Sequence, residues 1–280
     1  MTTLPQTPKG LQRVEHYLKT IVTGSAEQKI TSLTALRNLA IQPPKRRDLV
    51  SFNGFIDVIC NTLLEHVEES EEITALCVEI IRHLILEHPV VDHHFVMEPS
   101  CLTGLAKTLL ETSSEDVQLN ALTAIDHLSI LEMHQTAVCG EDGLVSSVCE
   151  FLVHESSEIR DHALKTIEYL TSNPKNRFII ARTEPLLSMV TECLQFSDMQ
   201  IPILCILNNL AQCSDNVPVL ARDDQLVMNL VQLLNSGDPY IVEQSKKFLI
   251  VLSAEESPFG DDSELNMVEG RDLSEFVRSL

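Results

Sequence analysis

Three groups of side chains have the type and spacing to do chemistry. His88, His93 and His94 offer imidazoles close together, and neutral imidazole suits zinc or copper. No cysteine or acid stands at a spacing that completes the set, and a helix would put residues 93 and 94 on different faces. No metal and no cofactor is therefore expected. Lys45-Arg46-Arg47 follows two prolines and reads as a short import signal, a phosphate contact or the exposed opening of a helix. Glu65, Glu68, Glu69, Glu71 and Glu72 form an acidic run between two apolar patterns, read as a solvated loop in preference to a docking patch. Ser, His, Asp and Cys are scattered without a nucleophile pattern, no HExxH or GxSxG occurs, and nine glycines leave little material for a phosphate loop. An enzyme is not expected.

A fourth group is periodic. Asn38, His83, His127, Tyr169, Asn209 and Val251 each close a similar short pattern, as in Leu36-Arg37-Asn38-Leu39-Ala40, and their spacings are 45, 44, 42, 40 and 42 residues. That is a solenoid period. Leucine follows the counted residue in every copy, Leu or Ile stands two before it, and five before it stand Leu33, Val78, Leu122, Leu164, Leu204 and Lys246. These sites share one helical face and form a buried stripe. The last copy, with Lys246, reads as an end cap. Beside the stripe lie the counted residues and those one turn earlier, Thr34, Glu79, Thr123, Lys165 and Cys205.

Each copy needs further helices to cover its stripe. The sequence predicts Leu11 to Val22 and Ala26 to Ala40 first. Units of three helices follow, the first after a proline or polar break (Lys45 to Phe52, Val90 to Met97, Lys175 to Arg182). Second helices are predicted over Phe55 to His66, Leu102 to Thr112, Leu144 to His154, Leu186 to Phe196 and Leu226 to Asn235. Gly54 and Gly143 supply sharp turns into two of them. Ser113 to Asp116, Ser156 to Glu158 and Ser236 to Pro239 mark turns into third helices and are expected to cap them. No strand is expected, so the fold class is all-α, a solenoid of about six repeats.

With the period, the three-helix grammar and the motifs Leu36-Arg37-Asn38-Leu39-Ala40 and Leu207-Asn208-Asn209-Leu210-Ala211 in view, the unit resembles an armadillo repeat over residues 11 to 253. The resemblance implies a right-handed superhelix whose third helices line a concave groove, with an asparagine ladder that clamps the backbone of an extended peptide. The ladder asparagine matches at Asn38 and Asn209; His83, His127, Tyr169 and Val251 replace it elsewhere. Nuclear-import adaptors resembling this fold pair each such asparagine with a tryptophan. This chain has no Trp, so an importin-type receptor is not expected.

Composition sets the remaining expectations. Forty-one acidic against 20 basic residues give a net charge of −21, which repels phosphates and anionic lipid over most of the surface. Basic partners are favoured, and neither nucleic acid nor membrane is expected. No apolar run is long enough to span a bilayer. The eight cysteines contain no CxxC pair and read as buried free thiols of a cytoplasmic or nuclear protein. Residues 1 to 10 read as a loose leader. Residues 254 to 280 read as an acidic tail in which Leu273, Phe276, Val277 and Leu280 fall at helical spacing, a segment expected to fold onto the end of the last repeat. The reading as a whole is an adaptor that takes a partner protein or extended peptide along Asn38, His83, His127, Tyr169 and Asn209 with Thr34, Glu79, Thr123, Lys165 and Cys205. The alternative is a cochaperone or assembly factor that clamps a folded domain.

Overall fold

The computed structural model describes residues 9–85, 89–253 and the pairs 267–268 and 271–272. The chain divides into two compact units, Met1–Val148 and Cys149–Leu280.

The first unit opens with α1 (Lys9–Thr23) and α2 (Ala26–Ala40), then α3 (Pro43–Val50), α4 (Phe55–His66) and α5 (Glu71–Ile85). A second triplet follows: α6 (Pro89–Met97), α7 (Pro99–Glu111) and α8 (Glu115–Ser129), and then α9 (Glu132–Gly140). The boundary between units falls within α10 (Leu144–Glu150). In the second unit lie α11 (Ser157–Ser172), α12 (Arg177–Ile180), α13 (Leu186–Cys193), α14 (Gln200–Ala211), α15 (Val217–Ala221), α16 (Asp224–Leu233) and α17 (Pro239–Ser253). Third helices stack on third helices: α2 on α5 and α5 on α8 in the first unit, α11 on α14 and α14 on α17 in the second.

Helix starts follow local chemistry. Pro43, Pro44 and Pro99 occupy first-turn positions of α3 and α7, where a missing N–H costs nothing. Ser25 and Gln28 form a reciprocal capping box on α2, and Gly54 and Gly143 take positive φ of 79° and 74° before α4 and α10. Gly104 serves a different purpose, since a Cβ there would sit 3.0 Å from the Leu63 side chain of α4. The cap expectations need correction: Ser114 and Ser156 stand at the N-caps of α8 and α11, yet neither side chain accepts a bond there. Before α17 the Asp238 carboxylate does accept from the Tyr240 amide, at 2.8 Å.

The stripe is buried as expected at residues 33 and 36, 78, 81 and 84, 122, 125 and 128, 164, 167 and 170, and 204, 207 and 210. Leu39 is the departure. It is half-buried while Ala40 is fully covered, because the buried line of α2 runs through Leu33, Leu36 and Ala40. Lys246 is half-buried, and Ile250 and Val251 on α17 remain exposed.

Polar side chains close the ends of the helices. A residue six places downstream reaches back to a C-terminal carbonyl, which the helix itself cannot satisfy. Arg46 Nε donates to the Ala40 carbonyl at 2.6 Å, Gln135 Nε2 to Ser129 at 3.0 Å, Asn176 Nδ2 to Leu170 at 3.2 Å and Asn216 Nδ2 to Leu210 at 3.0 Å. The same device recurs before third helices, at Gln118 to Thr112, Arg160 to His154 and Gln200 to Leu194. Asp92, in the first turn of α6, is buried as well. Its Oδ1 has no hydrogen-bond partner among the described residues, and burial pushes the carboxyl up to about 6.

Three sequence expectations fall elsewhere. Helix α1 begins at Lys9, inside the expected leader. The tail contains a short antiparallel ladder, Met267 opposite Asp272 and Val268 opposite Arg271, where no strand was expected. Leu273, Phe276, Val277 and Leu280 lie outside the described residues, as does His88.

Two stability measurements check this packing. Leu128 and Leu170 are buried to 0% and 1% exposure, and Leu128→Ala or Leu170→Ala is expected to cost about 2 to 5 kcal/mol in denaturant unfolding. Unchanged midpoints would exclude the register. A carboxyl whose folded pKa is raised binds its proton more tightly when folded, so the stability it confers at low pH is lost as pH rises towards and through about 6. Asp92→Asn replaces the carboxyl with a neutral amide of the same size. It is expected to raise the melting temperature at pH 7 and to leave it nearly unchanged at pH 4.

Candidate functional site

The counted residues sit where the stripe leaves them. In the first unit Asn38 is exposed, while His83 and His127 are half-buried on the successive stacked helices α2, α5 and α8. Thr34, Glu79 and Thr123 lie one turn earlier on the same helices and are half-buried too. Arg37 Nη1 reaches Glu79 Oε2 at 3.3 Å from α2 to α5, which ties these two rows together. Thr123 spends its hydroxyl on the Leu119 carbonyl of its own helix, at 2.7 Å.

In the second unit Tyr169 and Asn209 are half-buried on stacked α11 and α14. Asn209 Nδ2 donates to Thr171 Oγ1 at 3.5 Å, a long contact that leaves the amide weakly held. Lys165 is exposed and drawn along its own helix to Asp161 Oδ2, 2.7 Å away. Cys205 is half-buried; burial and the nearby Glu168 carboxylate raise its thiol pKa, against a hydrogen bond with Tyr240. The ten residues are thus distributed over the two units, four of them in the second.

Sequence reading missed the residue immediately before each counted position. That row runs Arg37, Arg82, Asp126, Glu168, Asn208 and Ile250: two arginines, then two acids. The periodic alignment contained this signal. Around His83 three guanidiniums converge: burial, Arg82, Arg46 and Arg37, in that order, push its imidazole down to about 4. Arg82 Nη2 lies 3.4 Å from His83 Nε2. Arg46 also lines a cleft of about 940 Å³ with Arg47, Phe52, Leu84, His94 and Glu98, so the Lys45-Arg46-Arg47 cluster belongs to a structured edge and Arg46 caps a helix.

The other candidate groups resolve into packing. His93 stacks on buried His134, centroids 5.6 Å apart, and no three His, Cys, Asp or Glu converge as a metal site among the described residues. The acidic run is exposed at Glu65, Glu68, Glu69, Glu71 and Glu72 yet is not a free loop. Glu65 closes α4, Glu71 and Glu72 open α5 where the helix dipole favours them, and Glu68 and Glu71 contact Lys107 and Thr112 of α7 and its end, both at 3.3 Å. Six of the eight cysteines are buried, while Cys205 and Cys213 are half-buried. No described helix is long and apolar enough to cross a membrane.

No model of a known protein family matches the sequence, and no curated protein matches it. Solved structures do. The chain is similar to computationally designed armadillo repeat proteins for modular peptide recognition, with TM-score 0.67 and 18% identity over 86% of this chain and 98% of that one. It is similar to the designed armadillo repeat protein YIII(Dq.V1)4CPAF in complex with peptide (KR)4, with TM-score 0.64 and 17% identity over 88% of this chain and 100% of that one. A structure describing a phosphorylation switch in the interaction between cadherin and beta-catenin gives TM-score 0.60 and 17% identity over 88% of this chain and 54% of that one. At these identities the likeness establishes the fold, an all-α armadillo-like repeat solenoid.

The electrostatics of the arginine cluster are directly measurable. A histidine with a lowered folded pKa takes its proton more readily when unfolded, so stability is lost as pH falls from about 6.5 towards about 4. His83 is expected to keep its neutral NMR shifts from pH 8 to pH 5, and Arg82→Gln to raise its midpoint. Titration of His83 near an ordinary histidine value would contradict the cluster.

Proposed function

We propose that this protein is an interaction scaffold that receives an extended segment of a partner protein along its third helices. One observation carries the reading: in each unit consecutive stacked helices keep a row of half-buried or exposed polar side chains beside a buried stripe. Asn38 and Asn209 hold amides that can donate to and accept from a peptide backbone at once. An extended chain has unpaired N–H and C=O groups along its length, so a row of such groups matches its needs without reading its sequence. Sequence preference then comes from the charged row beside the amides. The solved likenesses support the reading, since designed proteins of this fold are described as recognising peptides. Eight unpaired cysteines support a reducing compartment, cytoplasm or nucleus.

Asn209→Ala tests the assignment. Among the described residues the amide has only the 3.5 Å contact to Thr171, so its loss is expected to leave the melting temperature nearly unchanged. Losing backbone hydrogen bonds worth about 0.5 to 1.5 kcal/mol each is expected to weaken binding of unstructured peptides by several-fold, measured on pooled octapeptides by fluorescence polarisation. Unfolding of the variant would make Asn209 structural. Binding of folded domains alone, with no peptide bound, would favour the clamp reading in which the protein assists another's assembly.

A further inference from the structure

The groove of the first unit carries charge of the wrong sign for this protein. The chain is strongly acidic, with a net charge of −21, yet Arg37, Arg46 and Arg82 gather around one neutral histidine. They come from three elements: Arg37 from α2, Arg46 from α3 and Arg82 from α5. Helices α2, α3 and α5 pack on one another, and each arginine is half-buried, so the charges are held by the fold. Like charges at close range destabilise one another, and Glu79 reaches Arg37 at 3.3 Å.

The donors of Arg37 and Arg82 are only partly used among the described residues. Arg46 spends Nε and Nη2 on the Ala40 and Ile41 carbonyls, at 2.6 and 3.3 Å. Among the described residues, Arg37 and Arg82 each keep a buried Nε without a hydrogen-bond partner, a state that costs about 1 to 3 kcal/mol per donor. A guanidinium presents its donors in a planar fork that matches the two or three oxygens of a carboxylate or phosphate. Turning either fork towards an incoming anion breaks no bond made by its Nε. Two unsatisfied donors on neighbouring helices, clustered guanidiniums and a position one residue from the ladder share one remedy, an external oxyanion.

We propose that Arg37 and Arg82, with Arg46 fixed behind them, form a receptor for one anionic side chain, carboxylate or phosphate, on an extended segment bound along the first unit. The proposal rests on the groove reading above and names the chemistry of its ligand there. The chain's overall charge does not oppose it, because at physiological ionic strength exposed charges beyond about 8 Å are screened whereas a partly buried contact is not. Asp126 follows Arg82 in the same row, so the preference for an anion is confined to the first two repeats. Asp57 and Glu98 line the neighbouring cleft, which further narrows the favourable place to the arginine forks.

The test uses the full chain at physiological salt and neutral pH. Octapeptide pools with one central residue fixed as Glu, phosphoserine, Gln or Lys are compared by fluorescence polarisation. Inorganic phosphate is titrated in parallel while the arginine Nε–H resonances are followed by NMR. The Glu or the phosphoserine pool is expected to bind at least tenfold more tightly than the Gln and Lys pools, and which of them leads tells carboxylate from phosphate. Arg82→Gln is expected to erase that preference while the Gln pool binds as before, and Arg37→Gln serves as the second variant. Anion-independent binding, or a preference that survives both variants, overturns the receptor and leaves the groove intact. Saturable phosphate shifts at Arg37 and Arg82 with no pool bound sustain the oxyanion site and overturn the groove reading. Silence in both measurements overturns both.

Discussion

The structure depends on the need of each third helix to bury one stripe of leucine and isoleucine that its own repeat cannot cover. A buried side chain of this size contributes about 1.5 to 3 kcal/mol, and α5 alone buries Ile73, Leu76, Val78, Ile80, Ile81, Leu84 and Ile85. That is possible only because α2 and α8 flank it and α4 lies behind it. With those sides occupied, a single face of α5 is left to water. The polar ladder is what remains once the packing is complete. This explains why its residues vary among Asn, His, Tyr and Val while the neighbouring leucine, buried in every copy but that of Leu39, does not.

Close stacking creates a second demand. Each short helix ends against the next element, and its last carbonyls lose access to water without gaining an intrahelical donor. Arginine, glutamine and asparagine answer it by reaching back six residues, the side chain replacing the missing turn. Asp92 is buried in the first turn of α6 without such a role, and burial raises its pKa, against a hydrogen bond from its own backbone.

Periodicity made the fold legible. The recurrence of Leu one after and Leu or Ile two before the counted residue located every third helix, and Phe55–His66 and Ala26–Ala40 were bounded correctly because glycine or a serine capping box marks their starts. Second helices were less readable at their ends. Leu186–Cys193 stops short of Phe196, and Leu144–Glu150 gives way to a 3₁₀ turn at Phe151–Val153, since an apolar pattern continues through a turn that packs against the same core. The caps were misassigned for a related reason. A serine before a helix has the right chemistry at Ser114 and Ser156, but downstream Gln118 and Arg160 engage the adjoining helix ends, a choice that depends on three-dimensional reach.

Charge is the property that sequence reading handled least well, because a net value averages over surfaces that a ligand meets separately. The excess of acids predicts attraction for basic partners at long range, where salt weakens it. Contact is governed by the few groups within reach, and in the row beside the ladder these are Arg37 and Arg82 in the first unit but Glu168 in the second. Burial raises the pKa of Glu168. The local charge of that row therefore changes along the chain, from arginine at 37 and 82 to acid at 126 and 168, which a net value conceals.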